Sequence, residues 1–274
     1  QDKSIQKKFY TKNSIPTSNY KSFTSLENLK NAIAKGNLSF PFVWKAARMG
    51  YDGYGVSIIK SNKDLENLID CDCIAEDYIA FQNELSVIIS RREQGEVKAY
   101  PVVEMEFHPN ANQVEYVICP ARIPSKTALK AKEIALEVSK KYKHVGLLAV
   151  EMFLIDTGEI LVNEVAPRPH NSGHLTIESS YTSQFEQHIR AILNLPLGNC
   201  DNKIPGVMVN LVGKQNYRGP VIYKNIDQIL AINGVTPHLY GKKETRSYRK
   251  MGHVSIVNKD LEKARQIAEE VKSI

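Results

Sequence analysis

The segment around Asp156-Thr157-Gly158 constrains the fold most, because a turn signal is flanked on both sides by strand-forming residues. The runs on either side, within 147–165, are rich in Val, Leu, Ile and Phe, as expected for half-buried strands. If Thr157 and Gly158 form a two-residue hairpin loop, Glu151 faces Glu164 across an antiparallel ladder. The chain therefore has to build at least one antiparallel sheet.

Other segments support the same class of fold. Residues 42–45 and 56–59 predict a second hairpin with a glycine-rich tip, and residues 207–257 predict a small β-rich module. Helices are predicted at both ends of the chain and between the strands, without regular alternation of strand and helix. This mixture indicates an α+β protein, and Pro205-Gly206 marks a connection between two domains.

Composition narrows the class of function. The 274 residues are 42% hydrophobic and 24% charged, which is typical of a folded globular protein. The 36 Lys and Arg exceed the 30 Asp and Glu by only 6, which favours small anionic ligands over nucleic acid. No apolar run reaches the roughly 18 residues of a membrane span, and no export signal is evident, so we expect a cytoplasmic protein with no membrane partner. The scattered cysteines are expected to be reduced thiols rather than metal ligands.

The two facing glutamates are the first candidate site. Like charges directly across a ladder oppose folding unless a cation lies between them. Glu151 and Glu164 would suit Mg²⁺, which takes one or two carboxylates and completes its shell with phosphate oxygens and water. The alternative is that both side chains point into solvent at a sheet edge.

Three further segments have the chemistry of anion binding. Glycines at the tip 50–55 would let backbone N–H groups approach phosphate, with Lys45 beside them, although a tip without a ligand is an equally common explanation. The prolines of Ala166–His174 stiffen a stretch dense in Arg, His, Asn and Ser, which suits a preorganised anion site. The cations between Lys242 and Lys250 suit a phosphate-bearing small molecule or, alternatively, a solvated face.

Four strings in this sequence closely resemble the N5-carboxyaminoimidazole ribonucleotide synthetases, which are ATP-grasp enzymes. They are VEMF at 150–153, NEVAPRPHNSGH at 163–174, GYDG at 50–53 and RKMGH at 249–253. The resemblance implies an ATP-grasp domain at 1–196, with an ATP lid at about 35–105, and a C-terminal β-rich module at 205–274. From the same resemblance we expect this chain to lack the N-terminal α/β domain that is usual in the family.

The resemblance also implies a reaction and its residues. ATP, bicarbonate and 5-aminoimidazole ribonucleotide would give N5-carboxyaminoimidazole ribonucleotide through carboxyphosphate, with Mg²⁺ (or Mn²⁺) and in a homodimer. ATP would be bound by Lys3, Lys45, Gly50, Tyr51, Asp52, Gly53, Tyr54, Gly55, Val56, Glu76, Asp77, Tyr78, Ile79, Glu84, Asn163 and Glu164. The substrate would be bound by Tyr51, Asp52, Arg168, His170, Asn171, Ser172, Lys242, Arg249 and Lys250, with Asp52, Arg168, His170 and Asn171 catalytic and Glu151 and Glu164 on the metal.

The sequence departs from the family pattern in two places. His108 lies one position later than the usual nucleotide-contacting histidine, which puts that contact in doubt, and Met49 and Tyr54 replace common loop residues. The alternatives are another ATP-grasp carboxylate–amine ligase, such as one activating formate, and a catalytically silent ATP-binding module.

Overall fold

The computed structural model describes residues 2–48, 55–109, 111 and 113–274. These residues form two units: Gln1–Gln82 with Met152–Glu164, and Asn83–Glu151 with Val165–Ile274. The helices are α1 (Lys3–Lys12), α2 (Leu26–Ala34), α3 (Ser125–Tyr142), α4 (Thr176–Ser179), α5 (Gln184–Ile192), α6 (Ile226–Leu230) and α7 (Leu261–Ser273), with 3₁₀ turns at Asn62–Asn67 and Asn171–Gly173.

The strands confirm an α+β protein built largely from antiparallel pairs. They are β1 (Tyr20–Phe23), β2 (Phe42–Ala46), β3 (Val56–Ile59), β4 (Cys73–Asp77), β5 (Asn83–Arg91), β6 (Val97–Ala99), β7 (Val103–Phe107), β8 (Val114–Cys119), β9 (Gly146–Leu154), β10 (Ile160–Ala166), β11 (Gly206–Val212), β12 (Gly219–Pro220), β13 (Val235–Leu239), β14 (Glu244–Thr245) and β15 (Lys250–Val257).

The first unit is built on a four-stranded sheet in the order β1-β4-β2-β3. The predicted hairpin of β2 and β3 is confirmed, with Phe42 opposite Ile59. Phe42 and Trp44 are buried because alternate strand residues point to the same face, where they pack with Leu29 of α2. This core fixes the strand that carries Lys45.

Helix α1 presents two lysines on one face. Asp2 caps it, because its Oδ1 accepts a hydrogen bond from Ile5 N at 3.0 Å. Lys3, Lys7 and Tyr10 are four and three residues apart, the spacing that places side chains above one another on a helix. Lys7 and Tyr10 are buried, so this face of the helix points into the unit.

The tip of the β9–β10 hairpin differs from the prediction. Gly158 N donates to Ile155 O at 2.9 Å and Ile155 N donates to Glu159 O at 3.0 Å, which closes a three-residue loop rather than a two-residue one. Gly158 has φ 79°, and the extra residue in the left-handed region shifts the register. The two-residue loop is therefore wrong, and the register argument that set Glu151 opposite Glu164 no longer supports their pairing.

The second unit holds a larger sheet in the order β9-β5-β7-β8-β11-β15-β13, with β6 on β5. Helix α7 covers part of one face through Ala264, Ala268 and Val271, which are spaced by four and three residues and fully or nearly fully buried. The four free cysteines confirm the expectation of reduced thiols, and all but Cys71 are buried.

The C-terminal strands are part of this same sheet. Met208 of β11 lies opposite both Val117 of β8 and Ser255 of β15. The predicted strands in 207–257 are thus confirmed, but they extend the sheet that begins before residue 120. The division of the chain into domains at 1–196 and 205–274 stays a prediction.

Among the described helices, none has both the length and the apolar character required to cross a membrane.

Candidate active site

A buried cluster of charges lies in the first unit. Lys7 Nζ is 3.1 Å from Glu76 Oε2, and Lys45 Nζ is 3.1 Å from Glu76 Oε1. All three side chains are almost completely buried. Lys7 also donates to Thr17 Oγ1 at 2.6 Å and Ser18 Oγ at 2.8 Å. With Glu76, these give its ammonium group three hydrogen-bond acceptors. We call Lys7, Lys45 and Glu76 the lysine–glutamate cluster.

The protonation states of the cluster follow from burial and charge. Burial alone would raise the pKa of Glu76, but Lys45 and then Lys7 hold it below its ordinary value, helped by the Ser18 hydroxyl. Burial lowers the pKa of Lys7 to about 8, against the opposing effect of Glu76. At neutral pH Glu76 is therefore a carboxylate, and Lys7 beside it is mostly protonated.

The end of β10 brings two more predicted residues to this cluster. Asn163 Oδ1 accepts from Lys45 Nζ at 2.8 Å, and Glu164 Oε2 accepts from Lys3 Nζ at 2.7 Å. The Glu164 side chain is 40% exposed. Three lysines therefore face two glutamates in one partly open region, and the excess positive charge suits an anion such as a polyphosphate.

The predicted adenine linker follows directly from the cluster. The backbone of Glu76 lies in the ladder between Tyr20 of β1 and Val43 of β2. Glu76 therefore contributes to the site through its side chain, which pairs with Lys7 and Lys45. Asp77 N donates to Asn19 O at 3.0 Å. Tyr78 and Ile79 follow the end of the strand, and their backbone groups lie beyond the ladder.

The glycine-rich tip is described only at its end. Gly55 has φ 76° and its carbonyl accepts from Ala46 N at 2.8 Å, and Val56 begins β3. The residues Gly50, Tyr51, Asp52, Gly53 and Tyr54, which were predicted to contact ATP or the second substrate, lie outside the described residues.

In the second unit, the imidazole ring of His170 lies between a carboxylate and a hydroxyl group. Its Nε2 is 2.9 Å from Glu151 Oε1, and its Nδ1 is 2.9 Å from Ser172 Oγ. Ser172 Oγ in turn lies 2.9 Å from Ser86 Oγ, and both serines are buried. The imidazole is therefore held on both nitrogens, which fixes the direction of the ring.

Asn171 is held by a residue that the sequence did not single out. Its Nδ2 donates to Asn210 Oδ1 at 2.9 Å, and Asn210 Nδ2 donates back to Asn171 Oδ1 at 3.0 Å. Asn210 Nδ2 also donates to Val114 O at 2.9 Å. The two amides fix each other's orientation, and β11 thus supports the loop that follows β10.

Three histidines stack behind this loop. The ring centroids of His174 and His253 are 4.8 Å apart, and those of His253 and His238 are 4.5 Å apart. Burial, followed by the charges of neighbours that include His170 and Lys250, lowers the pKa of His174 to about 4. Burial and His174 lower the pKa of His253 to about 3. His174 and His253 are therefore uncharged at neutral pH.

The predicted cations of the second unit are only partly assembled. Lys250 and Arg168 both act on His174 through their charge, so these two lie in the same neighbourhood. Arg168 is exposed and donates to Pro169 O at 3.1 Å, and Arg249 is exposed and donates to Glu244 O at 2.7 Å. Lys242 Nζ donates to the carbonyl of Lys250.

Two remaining predictions concern β5 and β7. Glu84, assigned to the ribose of ATP, is buried on β5 opposite Met105. Glu104 forms a bidentate ion pair with Arg122: Arg122 Nη2 donates to Glu104 Oε1 at 2.9 Å, and Arg122 Nε donates to Glu104 Oε2 at 3.1 Å. His108 stacks edge-on against Tyr248, with ring centroids 5.6 Å apart.

The predicted metal ligands are oxygen donors, which suit a hard cation. Glu164 and Asn163 of the first unit and Glu151 of the second unit offer carboxylate and amide oxygens, the ligands that Mg²⁺ prefers. The described residues contain no group of three or more His, Cys, Asp or Glu side chains arranged around a metal. That is compatible with Mg²⁺, which is bound by few protein ligands together with phosphate oxygens.

Sequence reasoning missed Lys7, Asn210 and the stacked His238 and His253. Lys7 had one usable signal, since it lies one helical turn after Lys3 on a helix that buries that face. Asn210 had none, because its partner lies 39 residues away in the chain.

The paired lysines, Glu164 at the end of β10 and the antiparallel sheets fit a protein of the ATP-grasp class. A family model for the ATP-grasp domain matches residues 8–185, and a model for the phosphoribosylaminoimidazole carboxylase C-terminal domain matches residues 206–267. The chain belongs to the N5-carboxyaminoimidazole ribonucleotide synthetase family within that class.

Solved structures and a curated relative support this membership. The synthetase from Thermotoga maritima is 48% identical with a TM-score of 0.89, over 100% of this chain and 71% of that one. The synthase from Aspergillus clavatus, in complex with ADP and 5-aminoimidazole ribonucleotide, is 31% identical with a TM-score of 0.89, over 100% and 74%. The phosphoribosylaminoimidazole carboxylase of Candida glabrata is 40% identical, over 94% of this chain and 46% of that protein. The chain thus spans about half the length of that relative.

Proposed function

We propose that this chain carboxylates 5-aminoimidazole ribonucleotide with bicarbonate and ATP, giving N5-carboxyaminoimidazole ribonucleotide, ADP and phosphate in purine biosynthesis. The observation that carries the proposal is the joint presence of the lysine–glutamate cluster and the His170–Glu151 pair in a chain similar to an enzyme seen with ADP and 5-aminoimidazole ribonucleotide. The first suits the phosphates of ATP, and the second suits the acceptor and the activated carboxyl group.

In the first step a bicarbonate oxygen attacks the γ-phosphorus, and the bond to the bridging oxygen of ADP breaks. Carboxyphosphate and ADP result. Lys45 and Lys3 would hold the phosphates by charge, since their ammonium groups lie at the end of β10, where they contact Asn163 and Glu164. Mg²⁺ bound by Glu151 and Glu164, with Asn163 beside them, would neutralise the charge that develops on the transferred group.

In the second step the amine of the aminoimidazole attacks the carboxyl carbon, and phosphate leaves. Arg168, His170, Asn171 and Ser172 would hold the carboxyl group and the amine. His170 is directed by Glu151 and Ser172, and Asn171 by Asn210, so neither side chain has to be ordered when substrate binds. Lys242, Arg249 and Lys250 would take the 5′-phosphate.

The decisive test is ADP release by the purified chain with ATP, Mg²⁺ and ¹³C-bicarbonate. We expect release to depend on 5-aminoimidazole ribonucleotide and the label to enter that molecule. ADP release that requires formate and a different amine would favour another ligase of the same class. ADP binding without turnover under any of these conditions would identify a silent module.

A homodimer and a cytoplasmic location are further proposals, which rest on the family resemblance and on the sequence. Light scattering at micromolar concentration tests the first, with a mass of twice 30.9 kDa expected. A mass of one chain throughout would contradict it.

A further inference from the structure

We infer that Gln184, on α5, is a positioning residue for the loop that carries His170. The inference rests on the proposed function, because that loop is assigned there to the aminoimidazole and its carboxyl donor. Gln184 lies outside every string that suggested the site, and it is completely buried. Its contacts assign it a role at the loop.

The side-chain amide of Gln184 pairs with both backbone polar groups of His170. Gln184 Oε1 accepts from His170 N at 2.9 Å, and Gln184 Nε2 donates to His170 O at 2.8 Å. A side-chain amide can pair with the N–H and the C=O of one residue at the same time, as a facing residue does in an antiparallel ladder, and buried backbone groups require such partners. The backbone of His170 is thereby held at a fixed distance from α5.

The same amide also fixes a neighbouring histidine. Gln184 Nε2 lies 3.0 Å from His174 Nδ1. Because an amide nitrogen can only donate, His174 Nδ1 accepts and its proton lies on Nε2. Gln184 therefore spans the loop at positions 170 and 174.

Packing leaves the loop little freedom to compensate. A Cβ atom on Gly173 would lie 2.6 Å from Gln184 Oε1 and 2.3 Å from Ile88 Cδ1, so the backbone is pressed against the glutamine and against β5. In addition, Gln184 N donates to Thr176 Oγ1 at 2.9 Å, and that hydroxyl donates to Gly173 O at 2.6 Å. The backbone and side chain of Gln184 therefore hold the segment at His170, His174 and Thr176.

The next turn of the helix provides a matched control. Gln187 is equally buried, and its amide pairs in the same way with a single residue: Oε1 accepts from Gly198 N at 2.8 Å, and Nε2 donates to Gly198 O at 3.0 Å. Gly198 lies far along the chain from the proposed substrate loop. A purely structural role would thus make the two glutamines equivalent.

The test compares Gln184→Met with Gln187→Met, since methionine keeps the length of the side chain and removes every hydrogen bond of its amide, including the two to the His170 backbone. Both variants should lose comparable thermal stability. Only Gln184→Met should lower kcat/KM for 5-aminoimidazole ribonucleotide by about tenfold or more, the effect of losing two neutral hydrogen bonds, while the Kd for ATP stays within twofold. Equal values of kcat/KM in the two variants would overturn the inference.

A second variant and a second readout keep the result decisive. If Gln184→Met does not fold, Gln184→Asn keeps an uncharged amide but shortens the side chain by one methylene group, which draws the amide away from His170, and the comparison is made with Gln187→Asn. Amide hydrogen exchange over residues 168–174 needs no substrate: faster exchange in the Gln184 variant alone supports the inference, and equal exchange overturns it. Absence of aminoimidazole-dependent turnover in the wild type would instead contradict the proposed function.

Discussion

Lys7 Nζ lies 3.1 Å from Glu76 Oε2, and both side chains are at least 96% buried. The carboxylate is shared, because its other oxygen is 3.1 Å from Lys45 Nζ. Lys7 therefore neutralises part of the negative charge of Glu76. It also fixes the orientation of the carboxylate that Lys45 contacts. An ion pair of this kind is expensive to break, since the remaining charge is left in a poorly solvated place.

Replacement of Lys7 by methionine should cost about 3 kcal/mol of unfolding free energy, the lower end of the range for breaking a buried ion pair, because Lys45 remains beside Glu76. Urea unfolding measures this. Lys8→Met is the control, since Lys8 is exposed on the same helix, and a change within about 0.5 kcal/mol is expected for it. Equal effects of the two substitutions would show that the buried pair does not stabilise the fold.

Replacement of Glu164 by alanine should abolish Mg²⁺-dependent ADP release and leave the chain folded. The Glu164 side chain is 40% exposed and its ionic partner is Lys3, whose side chain is 20% exposed, so the loss of stability should stay within about 1 kcal/mol. Circular dichroism and a magnesium titration of ADP release check both parts. Glu159→Ala, on the exposed tip of the same hairpin, should retain activity. Wild-type turnover by the Glu164 variant would rule out its role at the metal.

Replacement of Gly173 by alanine should displace the loop, because the new methyl group would meet Ile88 Cδ1 at 2.3 Å. Overpacking of this kind costs about 1–3 kcal/mol. Thermal unfolding and kcat/KM for the aminoimidazole substrate should both fall. Ile88→Val removes the Cδ1 atom, so the double variant should recover part of both losses; no recovery would place the crowding elsewhere.

The stability of the fold should decrease as the pH falls from 6.5 towards 3, in part because of His253. The pKa of this histidine is lowered from 6.5 to about 3 on folding, so in that window the unfolded chain binds a proton that the folded chain does not. One such group lowers the unfolding free energy by about 1.3 kcal/mol per pH unit near pH 5. His253→Phe should remove that contribution from the slope measured by urea unfolding between pH 6 and 4. An unchanged slope would mean that His253 titrates normally in the fold.

Local patterns in the sequence predicted the secondary structure well. The β2–β3 hairpin and the helices at both ends of the chain follow from side-chain periodicity and from hydrogen bonds between near neighbours. The stiff segment 166–174 also identified His170 and Ser172, whose partners the structure supplies.

Relations between distant residues were not predictable in the same way. A single left-handed residue, Gly158, changed the register of the hairpin, and no rule of alternation reveals which of two loop lengths forms. Lys7 and Glu76 are 69 residues apart, and Asn171 finds Asn210 only because β11 is inserted beside β8. These contacts depend on the order of strands in the sheet, which composition and spacing do not encode.

The placement of β11 between β8 and β15 has a consequence for how the chain can be cut. A version that stops before Gly206 would leave β8 with unpaired backbone N–H and C=O groups along the four residues from Tyr116 to Cys119. Such an open edge is a template for strands of other molecules. The shortened protein should therefore aggregate when expressed, even though residues 8–185 alone match the ATP-grasp domain.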